Sequence, residues 1–296
     1  MRQKIVTALF SLGSFLGGTI FFFLLFWGYN YARLPIETHL NLTLSPLSKE
    51  NLELALQGVI PRVETQRLAL GQDSIAIADH QLPPSLAEKV RTEVQNTLQK
   101  LGYPHQFSPK VQQLYPKGIL LRFSTLGVYF PWTGECNIDA GLHPLEKPFV
   151  IAHELAHGYG FTDEGTCNFL AYLACVQSED PIIQYAGHFE YFSTLAVNYR
   201  KYDREAYAAM MKALPVAVKA DWNSIIENNE SYPDLIPKLR HYTYDTYLKV
   251  QGIQEGVQNY NRRVDASKRM GRKIIKIRRI WFTWNKRCAG SDLMTQ

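Results

Sequence analysis

Residues 149–160 read FVIAHELAHGYG, and no other stretch constrains the chain as strongly. His153 and His157 stand four apart in an apolar run. At helical periodicity they lie one above the other on one face, so both imidazoles can reach a single metal ion. Glu154 sits beside them, where a carboxylate can take a proton from metal-bound water. The flanks suit a buried helix, since Pro148 can open it and Gly158 and Gly160 can end it. The competing reading is a plain amphipathic helix with two surface histidines.

A chain of 296 residues can bury a sizeable core, in one or two domains. Its 46% hydrophobic and 20% charged residues indicate a globular protein. The net charge of +5 is unevenly spread. Residues 268–296 hold nine Lys and Arg against one acid, Asp292, so the rest is mildly acidic and offers no nucleic-acid groove. Four cysteines (Cys136, Cys167, Cys175, Cys288) without a CxxC are too few for a disulfide scaffold. Buried free thiols are expected.

No charged residue lies between Lys4 and Arg33. Residues 5–31 can cross a hydrocarbon core of about 30 Å at about 1.5 Å per residue. Tyr29 and Tyr31 suit the membrane–water interface. A cleavable signal peptide fits less well, because no small-x-small site precedes Arg33 and the apolar stretch is too long. Arg2, Lys4 and the α-amino group precede the span, which places the N-terminus in the cytoplasm and the remainder outside. Gly13 and Gly17 form a GxxxG, a motif that brings spanning helices together.

Downstream, residues 45–70 read as a helix capped by Ser45 and Pro46. Pro84 or Ser85 opens another, which Gly102 ends. Residues 118–139 suggest two short strands, or one bent strand, immediately before the HExxH helix. A strand edge there can pair with an extended peptide and hold its scissile bond at the site. Thr162 suits an N-cap for a helix through residues 168–176, and further helices are expected over 182–198, 204–214 and 232–250. The expected fold class is α+β, mainly helical, with a small sheet and one transmembrane helix in front: a zincin-like domain over 34–265, an anchor over 1–33, and a basic tail over 266–296. In the tail, Ile274, Ile277, Trp281 and Trp284 recur at helical steps opposite Lys276, Arg279 and Lys286. That is either a basic amphipathic helix for an anionic membrane surface or a solvated tail.

Three blocks carry a resemblance: LGVYFPWTGECNID, HELAHGYGFTDEGTCNFLAYLAC and YDTYLKVQGIQEGVQNY. Together they resemble the bacterial membrane zincins catalogued as domain of unknown function 3810, over roughly residues 33–265. That family typically shows TGEAN, then HE-x-AH-x-x-GF-x-x-E-x-EANF, then Y-x-x-YLK-x-x-G. The resemblance implies a zinc metallopeptidase of the bacterial inner membrane with Zn²⁺ as cofactor and a peptide or protein as substrate. The chain departs from the pattern at Thr166, where the family has the glutamate of EAN, and at Cys136 and Cys167, where it has alanines. Two alanines that touch can become two cysteines that bond, or Cys167 can itself be a thiolate ligand.

Zinc needs a third protein ligand and an open position. Glu164 matches the family's acid and leads; Asp163 is its rival, and a ligand elsewhere or none at all is the third case. Either acid can equally serve the N-terminus of the next helix. Glu135 and Asn137 can face the cleft or simply serve a turn. His188, Tyr191, Tyr244 and Tyr247 are oxyanion-donor candidates, or else packed residues. Lys249 reads as a solvated cation at a helix end. Two functions remain open. The first is a membrane-anchored zinc peptidase facing the exterior, with His153, His157 and Glu164 on the metal and Glu154 as general base. The second is a non-catalytic membrane protein using the fold as a peptide-binding or assembly module, which Thr166 favours.

Overall fold

The computed structural model describes residues 2–41, 48–71 and 74–235. The basic tail, Tyr244, Tyr247, Lys249 and nearly all of the helix expected over 232–250 lie outside these residues.

Helix α1 (Arg2–Phe26) comes first and meets the body near its C-terminal end, where Phe23 lies 5.6 Å from the Trp132 ring. Its segment Gln3–Phe26 has a mean hydropathy of 2.0 with none of it buried, and is long and apolar enough to cross a membrane. A 3₁₀ turn (Gly28–Ala32) and the short α2 (Ile36–His39) lead into the body. Helix α3 (Lys49–Ala69) starts later than its sequence suggests. Ser48, not the Ser45–Pro46 pair, is the cap, accepting from the Asn51 N–H at 3.2 Å. Ser45 and Pro46 fall outside the described residues. Helix α4 (Leu86–Lys100) is followed by Gly102, whose φ of +76° lets the chain leave the helix in the left-handed region.

Three short strands form one sheet: β1 (Val111–Leu114), β2 (Gly127–Phe130) and β3 (Glu135–Asp139). Their order is β1-β3-β2, with β1 parallel and β2 antiparallel to β3. The hairpin was legible in the sequence; β1, with two exposed glutamines, was not. Asp139 at the end of β3 is fully buried and accepts backbone N–H groups from Gly118, Leu120, Leu121 and Gly141 at 2.6–3.1 Å. That one carboxylate gathers the loop leading into β2 and fixes where the strand begins.

The helices α5 (Lys147–Gly158), α6 (Glu164–Val176), α7 (Pro181–Tyr202), α8 (Arg204–Ala213) and α9 (Val216–Glu230) complete the described body. The architecture is mainly helical with a small sheet, as expected. Helix α9 was not anticipated: its apolar residues fall on exposed and buried sides alike, Val216 and Ile226 outward and Ala217 and Val218 inward, so they mark no single face. One core joins α4, α5, α6 and β3 through Val94, Ile138, Leu155 and Leu170. A second joins α3, α7 and α9 through Leu52, Phe192 and Val218. Each fully buried Leu or Phe contributes about 1.5–3 kcal/mol by leaving water.

The second core encloses a charge. Arg67 (1% exposed) meets Asp221 (0%) at 2.6 Å, and also donates to the carbonyls of Gly71 and Ile75. Asp221 further accepts from the Ile77 N–H at 2.8 Å and from the Tyr185 hydroxyl at 2.7 Å. The network ties α3, α7 and α9 to the backbone of Gly71, Ile75 and Ile77. Asp221→Ala would strand a buried guanidinium and should cost about 3–5 kcal/mol, whereas Asp180→Ala at the exposed Lys89 pair should lose only about 1–3 kcal/mol, chiefly through its helix cap. Chemical unfolding of the two variants should rank them in that order; equal losses would show that the network is not what joins these helices.

Candidate metal and peptide site

Helix α5 begins at Lys147 and Pro148, and burial of Val150, Ile151, Leu155 and Ala156 leaves His153 and His157 on its half-buried face. The HELAH pattern thus forms the helix its spacing demands. Past the turn at Tyr159–Phe161, α6 enters with Glu164 in its first turn. His153 Nε2, His157 Nε2 and the Glu164 carboxylate converge. Nε2 to Nε2 is 3.2 Å, His153 Nε2 to Glu164 Oε2 is 3.1 Å, and His157 Nε2 to Glu164 Oε1 is 3.6 Å. Among the described residues these three form a group able to hold a metal ion.

The outer ring nitrogens explain why the inner ones face each other. His157 Nδ1 lies 2.8 Å from the Phe161 carbonyl, which can only accept, so this nitrogen carries the proton. Asn168 Oδ1, 2.8 Å from His153 Nδ1, imposes the same tautomer there. In neutral rings both Nε2 atoms are then bare acceptors, brought together beside a carboxylate. Three lone pairs in one place repel unless a cation lies among them. Their spacing suits zinc, since metal–ligand distances of about 2.0–2.1 Å in a tetrahedron put donors about 3.3 Å apart.

With no ion among them, the carboxylate instead draws a proton onto His157, so the place favours positive charge. Hydrogen bonds with His153 and His157 hold the Glu164 carboxyl well below the usual carboxylate range, although its side chain is 70% exposed. Burial opposes the charged form of His157, but Glu164, the Phe161 carbonyl and Glu154 outweigh it and raise its pKa. Glu154 is 5% exposed, and burial pushes its carboxyl up to about 7 against the pull of His153 and His157. One Glu154 oxygen has no hydrogen-bond partner, while the Tyr129 N–H donates to the carboxylate.

The rival ligands are placed elsewhere. Asp163 caps α6, accepting from the Thr166 N–H at 2.7 Å and the Thr166 hydroxyl at 2.8 Å. The cap is therefore Asp163 rather than Thr162, and Thr166 is its partner. Cys167 lies 3.4 Å from His157 Nδ1, the nitrogen turned away from Glu164. Buried on that far side of the ring, its thiol lies outside the group of His153, His157 and Glu164. Cys136 donates to the Glu154 carbonyl at 3.1 Å; both cysteines are free, and no bridge joins them.

The cleft over these residues has a volume of about 560 Å³. One wall is β2. Leu126 O accepts from the Asp139 N–H, so by antiparallel alternation the backbone groups of Gly127 and Tyr129 point away from β3, and the Tyr129 N–H reaches Glu154. Gly127 is required there, because a Cβ would lie 2.7 Å from Glu154 Oε1. Glu135 and Asn137 do not line the cleft. Glu135 accepts from Gln112 and Thr133, and Asn137 donates to the Val128 and Glu135 carbonyls. Strand alternation sends Cys136 to the helix and its neighbours to the opposite face. His188 and Tyr191 do not line it either, but pack around Tyr172.

Two lining residues, Glu146 in the turn before α5 and Glu190 on α7, escaped the sequence reading, since single acids in a turn or on a helix look like solvated surface. Burial raises Glu146 to about 7, and burial together with the charge of Glu146 raises Glu190 to about 8. Asn168 also escaped, although it follows Glu164 by four on one helix face, a spacing that signals shared geometry.

The unfolded chain ionises these glutamates near the ordinary 4.5. Their protonated forms therefore contribute stability that is full below that pH and lost as pH rises through about 7 and about 8. Glu190→Gln should leave thermal stability nearly unchanged at about pH 5 and raise it relative to wild type at about pH 8.5. Thermal unfolding at both values checks this; an equal difference at both would remove Glu190 from the pH response.

The family described as "Protein of unknown function (DUF3810)" matches residues 1–266. No curated protein and no solved structure matches the chain. With nearly all of its described and undescribed length matched up to the tail, the chain belongs to this family of unknown function.

Proposed function

We propose that the protein is a membrane-anchored zinc metallopeptidase with a zincin-like site. The observation that carries this reading is the triangle of His153, His157 and Glu164 donors at 3.1–3.6 Å, its tautomers set by Asn168 and the Phe161 carbonyl. His153, His157 and Glu164 would hold the ion. Zinc bound there supplies a Lewis acid that polarises a carbonyl and acidifies a coordinated water.

The rest of the chemistry belongs to the chain. An extended peptide pairs with the outward groups of β2 other than the Tyr129 N–H, namely the Gly127 N–H and carbonyl and the Tyr129 carbonyl, which orients its scissile bond along the helix. Glu154, below Gly127, takes the proton from the attacking water and delivers it to the departing amine nitrogen. A carboxyl with a pKa raised toward neutrality suits both halves of that transfer. Helix α1 serves as a retained single-pass anchor with the body outside. The buried packing of Trp27 supports retention, because cleavage after it would strip Phe23 and Trp27 from the wall of the cleft. The non-catalytic reading drew on Thr166. With Thr166 bound to the Asp163 cap and Glu164 available to the histidines, that residue no longer favours it.

The full-length protein in detergent should bind one zinc per chain. His153→Ala with His157→Ala should abolish binding, Glu164→Ala should weaken it far more than Asp163→Ala, and Asn168→Ala should lower affinity about 10–100-fold by releasing the His153 tautomer. Elemental analysis and chelator competition read these outcomes; full zinc in the double histidine variant would sink the site.

Glu154→Gln should keep the metal and lose about 10²–10⁴-fold in peptide hydrolysis, since an amide cannot carry the proton. Fragment analysis of a peptide library measures it. Unchanged turnover would remove Glu154 from the mechanism, and no hydrolysis by the zinc-loaded wild type would return the binding-module reading.

A further inference from the structure

The cleft that holds His153 and Glu154 is walled on one side by the end of α1, through Phe23, Trp27 and Tyr31. Phe23 lies inside the apolar Gln3–Phe26 segment, and Trp27 follows it directly. Two contacts tie that end to the site. The Trp27 ring lies 4.6 Å from that of Tyr129, whose N–H donates to Glu154. Arg33 donates to the Tyr159 carbonyl at 3.3 Å and sits 4.4 Å over the ring of Phe161, whose carbonyl sets the His157 tautomer.

The β2–β3 hairpin continues along the same helix. Phe130 and Trp132 are 45% and 44% exposed and share an apolar hollow with Phe15, Gly18, Thr19 and Phe22 of α1. Thr19 lies about 10 Å below Phe26 at 1.5 Å per residue. Exposed aromatics at that depth suit lipid, not water. Leu126 and Val128, 41% and 38% exposed, extend the apolar surface up β2 to the site. The strand that would pair with substrate therefore runs from Glu154 down into the apolar layer.

We propose that the substrate is a membrane-anchored polypeptide, cut within a few residues of the bilayer, at this cleft between α1 and the β2–β3 hairpin. The proposal rests on the peptidase reading. A soluble peptide must displace lipid to reach β2. A tethered one arrives at the right level, at an effective concentration in the millimolar range.

The test uses the zinc-loaded full-length protein in phosphatidylcholine–phosphatidylglycerol vesicles. A degenerate library of about ten residues is presented either directly outside a transmembrane helix in the same vesicles or free in solution, at equal total amounts. The tethered library should be cut at least about tenfold faster, at positions next to its helix. Equal rates would overturn the proposal. Cleavage of neither library would overturn the peptidase reading and this substrate class with it. A second measurement needs no activity: the Trp132 emission, taken as wild type minus Trp132→Phe, should be quenched at least about twofold by lipids brominated in their acyl chains. An unquenched Trp132 would overturn the membrane placement of the cleft even if peptides are hydrolysed.

Discussion

Cys136 donates to the carbonyl of Glu154, and a Cβ at Gly158 would lie 2.9 Å from the same sulfur. Strand β3 is thus pressed onto the helix that carries both histidines, at a distance only a small thiol facing a glycine allows. The position of β2 follows, because it is hydrogen-bonded to β3. From there Gly127 comes over Glu154 and the Tyr129 N–H reaches its carboxylate. A larger residue at 136 or 158 would lift the sheet, and Glu154 would lose the backbone group that orients it. Cys136 and Cys167 are thus packing residues, each in its own contact with the helix that carries the histidines.

The same economy governs the histidines. Neither is aimed by its own helix alone. Asn168 belongs to α6, and the Phe161 carbonyl to the turn that Gly160 makes possible with a φ of +86°. Asn30 and Arg33 crowd that glycine, so the segment after α1 buttresses the turn that sets His157. The end of α1, the turn and α5 act as one unit, which is why the end of α1 belongs to the site. The buried Arg67–Asp221 network does comparable work in the second core, fixing α7 against α3 and α9 and with it Glu190 at the cleft. A buried ion pair adds little net stability but is costly to break, so its role is to specify one arrangement.

Residues with a strong local signature were legible. The four-residue spacing of His153 and His157 placed them on one face before any fold was known. The uncharged run after Lys4 gave the long apolar helix, and the aromatic-rich 118–139 segment gave the hairpin. Residues whose meaning depends on a distant partner were not. Asp163 and Glu164 are adjacent acids at a helix start, and either can cap. Only the direction in which α6 leaves the turn sends one to Thr166 and the other to the histidines. Glu135 and Asn137 were candidates for the cleft because a strand has two faces, and sequence does not say which is turned inward. Glu146 and Glu190 carried no signal at all, since a glutamate in a turn or on a helix is ordinary until its surroundings exclude water.

The sequence by itself therefore determined the helix that bears HELAH, the apolar span ahead of it and a mainly helical body with a small sheet, because these follow from periodicity and composition within a few turns of chain. Tertiary structure alone decided which acid joins the histidines, which atoms set their tautomers, which face of β3 meets the helix, and that the end of the apolar helix walls the cleft. Those outcomes depend on contacts between segments many residues apart, where side chains of the same type differ only in what the fold brings against them.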